Sequence, residues 1–193
     1  MAKRRPKRVI KKIDLGGCLR KALAKRTKDE LIDILVELAG EDCAMLRRLA
    51  AHIEMEAPPE DLVATTQQAI ADATDFDERD INRNFHYDYE AYNEVKRNLA
   101  RLIDLGELQL AMELSLELMK QGSCQVEMSD EGLMTHDIEE CLGVVVEALK
   151  KCDLPPGEVV TWCTAMSKSD RVGCIYDREL GSLRKHCAAS QSQ

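Results

Sequence analysis

Aromatic residues are scarce, at 4% of the chain: one Trp, four Tyr and two Phe. Strands draw heavily on aromatic and β-branched side chains, so this scarcity argues against a sheet. Long apolar runs are missing as well. The longest uncharged apolar stretch, 141 to 146, holds six residues, far short of the roughly 20 that a spanning helix needs. We therefore expect no membrane span. The charged N-terminus has no apolar core behind it, so we expect no secretory signal and a cytoplasmic location. What the chain does have is a 45% apolar fraction over 193 residues, enough for a helical core and incompatible with general disorder. Leu, Ala, Glu and Lys abound, which favours helices.

The chemical signatures of common sites are also missing. There are eight cysteines and no Cys-x-x-Cys pair, so no zinc ligand set is expected. Cys141, Cys152, Cys163 and Cys174 recur every eleven residues, but Pro155-Pro156-Gly157 interrupts the helix that would align them. We read the thiols as reduced and buried. None of the four histidines belongs to His-Glu-x-x-His. His52-Ile-Glu54 has the spacing of a zinc deaminase triplet without the Pro-Cys-x-x-Cys that must follow. The acidic run from Asp75 places Asp80 and His86 where an EF-hand needs Gly and Glu, which excludes that calcium loop. No glycine-rich phosphate loop and no Gly-x-Ser-x-Gly elbow occurs. No cofactor, no metal and no catalytic residue is expected, and an enzyme with a site assembled from distant residues is the remotest reading.

Charge is segregated along the chain. Up to Lys28 there are twelve Lys and Arg against Asp14 alone, a net of +11. The remainder carries 15 cations and 34 acids, a net of -19, and the two sum to the overall -8. Residues 1–26 read as a basic flexible arm. Lys3, Arg4, Arg5, Lys7, Arg8, Lys11 and Lys12 form a self-repelling run that could grip phosphate. Its bland alternative is a solvated tail lying against the acidic body.

From residue 27 to 188 the pattern is that of a helical domain. Thr27-Lys-Asp-Glu30 is a capping box, followed by the stripe Leu31, Ile32, Ile34, Leu35, Leu38 and Ala39, with Gly40 as the stop. Asp42 opens a second helix, and the short connection predicts an antiparallel hairpin. A third helix runs from about 60 to 73 behind Pro58-Pro59. Residues 74–86 read as an acidic linker. Asp88 caps a helix to Leu105 with Tyr92, Val95, Leu99, Leu102 and Ile103 inward. Gly106 breaks it, and the next helix spans about 107 to 120 with Gly122 at its end. The helix clearest over 137–151 turns Ile138, Cys141, Leu142, Val145, Val146 and Leu149 inward. A further helix over 158–166 carries Trp162, 170–181 is ambiguous, a short helix reaches His186, and 189–193 frays.

Two resemblances accompany this pattern. Gly106-Glu-Leu-Gln-Leu-Ala111 resembles the Gly-x-x-x-x-Ala step of a tetratricopeptide repeat, which implies that Ala111 packs closely on the preceding helix. Thr27-Lys-Asp-Glu-Leu-Ile-Asp-Ile-Leu-Val-Glu-Leu-Ala39 resembles the Thr/Ser-Lys-Glu-Glu-Leu-Val-x-Leu-Leu-x-Glu-Leu-Ala opening of a bacterial helical family. That region is also found downstream of the zinc finger in bacterial SWIM zinc-finger proteins. The likeness continues through Phe85-His-Tyr-Asp-Tyr-Glu-Ala-Tyr92 and the hairpin 99–119, covering about 27 to 180. Neither Cys-x-Cys nor Cys-x-His occurs, so the zinc finger is not carried over. The resemblance implies an α-helical repeat scaffold and brings no catalytic residues with it.

The expected fold is all-α, with stacked antiparallel helical hairpins in the manner of a tetratricopeptide α-solenoid. Such folds present a concave surface to a partner. The expected function is non-catalytic binding of a protein or peptide, through Tyr89, Tyr92, Asn93, Lys96, Arg97 and Arg101. Asn93, Arg97 and Arg101 are spaced by four and share a helix face, a basic strip suited to a carboxylate or acidic peptide. Its competing reading is a solvated face paired with Glu90 or Glu94. The second function is a nucleic-acid-associated regulator acting through the arm.

Overall fold

The structure, a computed structural model, describes residues 15–53 and 55–190. It is all-α: among the described residues there is no strand, and no helix is long and apolar enough to cross a membrane. Contacts divide the chain into two units, Met1–Leu46 and Arg47–Gln193.

The first unit holds α1 (Leu15–Leu23), α2 (Lys28–Glu41) and the start of α3 (Cys43–His52). The capping box forms as the sequence dictates. Thr27 Oγ1 accepts from the Glu30 N–H at 3.2 Å, and the Glu30 carboxylate accepts from the Thr27 N–H at 2.8 Å. Asp42 Oδ1 accepts from the Ala44 and Met45 N–H groups and so starts α3. Three expectations change here. Part of the supposed flexible arm is helix α1, because Leu15, Leu19 and Leu23 follow a helical spacing that the basic residues mask. Gly40 does not stop α2, which runs on to Glu41 and ends at Asp42. The burial expected of an α2–α3 hairpin is missing on α2: none of its residues is buried, and Ile32, Leu35, Val36 and Leu38 stay exposed. A short connection permits a hairpin but does not supply the buried area that would hold one.

The second unit contains the core. A 3-10 turn at Pro59–Asp61 leads into α4 (Leu62–Ala73), where the prolines sit at the helix start with no N–H to waste. Helices α5 (Tyr89–Asp104), α6 (Leu108–Met128), α7 (Thr135–Leu149), α8 (Pro156–Ser169) and α9 (Asp177–Ser190) follow. Helix α5 packs chiefly against α4 and α7, while its sequence neighbour α6 packs more on α7, and α8 pairs with α9. The inward positions expected on α7 are all buried, as are Tyr92, Val95, Leu99 and Leu102 on α5. The ambiguous stretch after Asp170 resolves into a loop and α9, with Ile175, Leu180 and Leu183 in the core.

Glycine has opposite uses at two positions. Gly106 takes φ +84° and ends α5, as an αL cap should. Gly122 ends nothing. It is buried inside α6, and a Cβ there would lie 2.8 Å from Ile138 Cδ1, so its bareness lets α7 approach. The 74–86 segment is more than a linker. Residues Arg79–Arg83 make one π-helical turn that buries Ile81, and Asp77 Oδ1 accepts from the Arg79 and Asp80 N–H groups to start it. One aliphatic side chain in an acidic run is enough to dock it.

Ala111 is fully buried. Ala111→Leu should lower stability by about 1–3 kcal/mol, since added methylenes in a filled contact push neighbours off their rotamers. Urea unfolding measures it, and an unchanged midpoint would show that the site has room to spare.

Candidate functional site

Helix α5 carries the side chains nominated for a partner, and local chemistry sets where they point. Asp88 Oδ1 accepts from the Ala91 N–H at 3.0 Å, which starts the helix. With the helical period fixed from there, Tyr89, Asn93, Arg97 and Arg101 fall in one row. Tyr89 is 45% exposed, Asn93 half-buried and Arg97 exposed. Arg101 is half-buried and donates to the Ala57 carbonyl at 3.0 Å, with Glu56 at 3.2 Å. Lys96 pairs with Glu140 of α7 at 2.9 Å and holds that carboxylate below its ordinary range.

The pairing expected within the helix is corrected. Glu94 and Glu90 are occupied by Arg47 at 2.8 Å and Arg48 at 3.8 Å, both from α3. Of the three cations proposed on α5, Arg97 is the one without an ion-pair partner among the described residues. Tyr92 leaves the partner surface altogether. It is buried, its hydroxyl donates to Gln125 Oε1 at 2.6 Å, and its ring meets Tyr87 edge-on at 6.2 Å. The apolar face of α5 needed its largest side chain inside.

The five aromatics between residues 76 and 92, namely Phe76, Phe85, Tyr87, Tyr89 and Tyr92, divide between core and surface. Phe76 and Tyr87 pack on the core with Tyr92. Phe85, which the sequence did not nominate, is 59% exposed and held at φ +54°. That backbone conformation costs an L-residue roughly 1–2 kcal/mol. The segment keeps it because the His86 N–H reaches the Asp80 carbonyl at 2.8 Å.

Behind the strip lies a polar junction that sequence reasoning missed. Arg47 is buried, and its guanidinium donates to three carboxylates: Nε to Glu94, Nη1 to Asp88 at 2.6 Å, and Nη2 to Asp72. Burial disfavours the charge, but the three partners outweigh it and raise the Arg47 pKa. Asp88 serves twice, capping α5 with one oxygen and holding Arg47 with the other. No local pattern could have found this, because the partners lie 25 to 47 residues away.

An open cleft of about 600 Å³ lies beside the C-terminal end of α5, the start of α6 and the end of α7. Its walls are mainly aliphatic, with Asp104, Glu147 and Lys151 among them, and Glu147 is already paired with Lys150 at 2.6 Å. Among the described residues no group of three His, Cys, Asp or Glu side chains is placed to hold a metal. The arm cations Lys3, Arg4, Arg5, Lys7, Arg8, Lys11 and Lys12 lie outside the described residues.

All eight thiols are free, but they are not all buried: Cys18, Cys43 and Cys174 are exposed. Burial, helped by the Asp137 charge, pushes the Cys141 thiol up to about 12, and burial pushes Cys163 up to about 11. Iodoacetamide at pH 8 should label the three exposed thiols first and spare Cys141 and Cys163, as mass spectrometry would map. Rapid labelling of Cys141 would contradict this. The sign for stability follows. Unfolded thiols ionise near 9 while the folded ones keep their protons. Their contribution is whole below pH 9 and is lost as pH rises from 9 toward 12.

Set against known proteins, the chain matches no family model, no curated protein and no solved structure.

Proposed function

We propose that the chain is a non-catalytic helical scaffold that binds a protein or peptide partner through the outer face of α5. The observation that carries this reading is the unpaired Arg97 in one row with the exposed Tyr89, on a helix fixed from both sides by α4 and α7. A rigid aromatic and a cation with free N–H groups are what recognition of an acidic peptide requires. The exposed Phe85 just before the helix adds apolar area at a strained position, where strain often accompanies function. Within this proposal the helices act as stacked hairpins in the tetratricopeptide manner. The positive φ of Gly106 and the burial of Ala111 support that likeness. The chain would work in the cytoplasm, where eight free thiols persist.

The test is selection of a displayed random peptide library on the intact chain. Peptides rich in Asp and Glu should be enriched, and Arg97→Glu or Tyr89→Ala should weaken them about tenfold each, roughly 1.4 kcal/mol. Deleting residues 1–12 should leave that binding unchanged. If nothing acidic is enriched, or if both variants bind as the parent does, the reading fails. The second reading, a nucleic-acid-associated regulator, draws on the +11 charge of the first 28 residues. It takes over if the 1–12 deletion abolishes binding to a labelled duplex that falls steeply with salt.

A further inference from the structure

We propose that the exposed apolar stripes of α1 and α2 pair with those of a second copy of this chain, making a two-fold symmetric dimer. The argument begins with stability. Helices of 9 and 14 residues are marginal in water by themselves. Neither has a buried residue, and Leu15, Leu19, Ile32, Leu35, Val36 and Leu38 remain exposed. An amphipathic stripe of this size gains its stabilisation only when something covers it.

Charge identifies the cover. Residues 15–28 carry Arg20, Lys21, Lys25, Arg26 and Lys28 and no acid. Residues 29–46 carry Asp29, Glu30, Asp33, Glu37, Glu41 and Asp42 and no cation. An acidic partner would be repelled by α2, and a basic one by α1. A second copy turned by two-fold symmetry satisfies both at once, with α1 of each copy against α2 of the other, as an isologous interface requires. Only one face of two short helices is offered. The contact is therefore at the small end of stable interfaces, which bury about 800 Å² a side, and it dissociates on dilution.

Sedimentation velocity of the full chain tests this. The parent chain should shift from monomer to dimer with rising concentration, and added salt should weaken but not abolish the shift. Val36 is 67% exposed, so Val36→Asp costs the single copy little. It should weaken the dimer at least about tenfold, with the helical circular dichroism signal kept. A charge swap separates this face from any other. Lys21→Glu with Lys25→Glu should be monomeric, Asp33→Lys with Glu37→Lys should be monomeric, and an equal mixture of the two should recover a heterodimer. A parent chain that stays monomeric, a dimer indifferent to Val36→Asp, or a mixture that does not associate would each overturn the proposal.

Discussion

Arg47→Ala should destabilise the unit that begins at Arg47 by about 3–5 kcal/mol, the range seen when one partner of a buried ion pair is removed. The reason is what is left behind. Asp72, Asp88 and Glu94 would face one another without the guanidinium, on the last turns of α4, the cap of α5 and its second turn. Their side chains are 30%, 25% and 21% exposed, so water relieves part of the repulsion and the lower half of the range is expected. Arg47→Lys should recover only a part. An ammonium restores the charge but cannot reach three carboxylates with a planar fork. Urea unfolding with unchanged slope reads both variants. A midpoint close to the parent chain would show that the cluster contributes nothing net, as some ion pairs do.

A second large effect is expected at Gln125, with Gln125→Leu costing about 3–5 kcal/mol, the lower part of what three unpaired polar groups at roughly 1–3 each would give, because Asp75 is exposed and water can reach its carbonyl. The Gln125 side chain is fully buried in α6. Its amide nitrogen donates to the Ala73 carbonyl at 3.0 Å and the Asp75 carbonyl at 2.9 Å, and its oxygen accepts from Tyr92. Those two carbonyls belong to the chain leaving α4, so one amide ties three elements together. Leucine keeps the volume but gives the carbonyls no donor, so the loss isolates hydrogen bonding from packing. Tyr92→Phe removes a single hydroxyl and should cost about 1–2 kcal/mol. Thermal or urea unfolding of the pair tests the order. Equal midpoints for Gln125→Leu and Tyr92→Phe would mean that the carbonyls find other donors.

Neither Arg47 nor Gln125 could have been nominated from the sequence. Gln125 lies beyond the point where Gly122 suggests that α6 stops, and a lone Gln inside a helix reads as surface. The glycine signal misleads because glycine serves two physical needs, a positive φ and a close approach, and composition cannot tell them apart. Tyr92 was misplaced for a related reason. Its spacing puts it on the inward face with Val95 and Leu99, yet an aromatic beside a basic strip also suits a binding surface.

What the sequence by itself determined is everything that rests on neighbours three or four residues apart. The capping box at Thr27, the Asp42 and Asp88 caps, the inward stripe of α7 and the all-α class follow from local hydrogen bonds and the helical period. What only the tertiary structure decided is which stripe finds a cover. The stripes of α2 and α7 look alike in sequence, yet α7 is buried by α5 and α6 while α2 has no buried residue. A helical period states that a face is apolar, and the free energy of covering it depends on what lies opposite, a pairing across dozens of residues that no local pattern encodes.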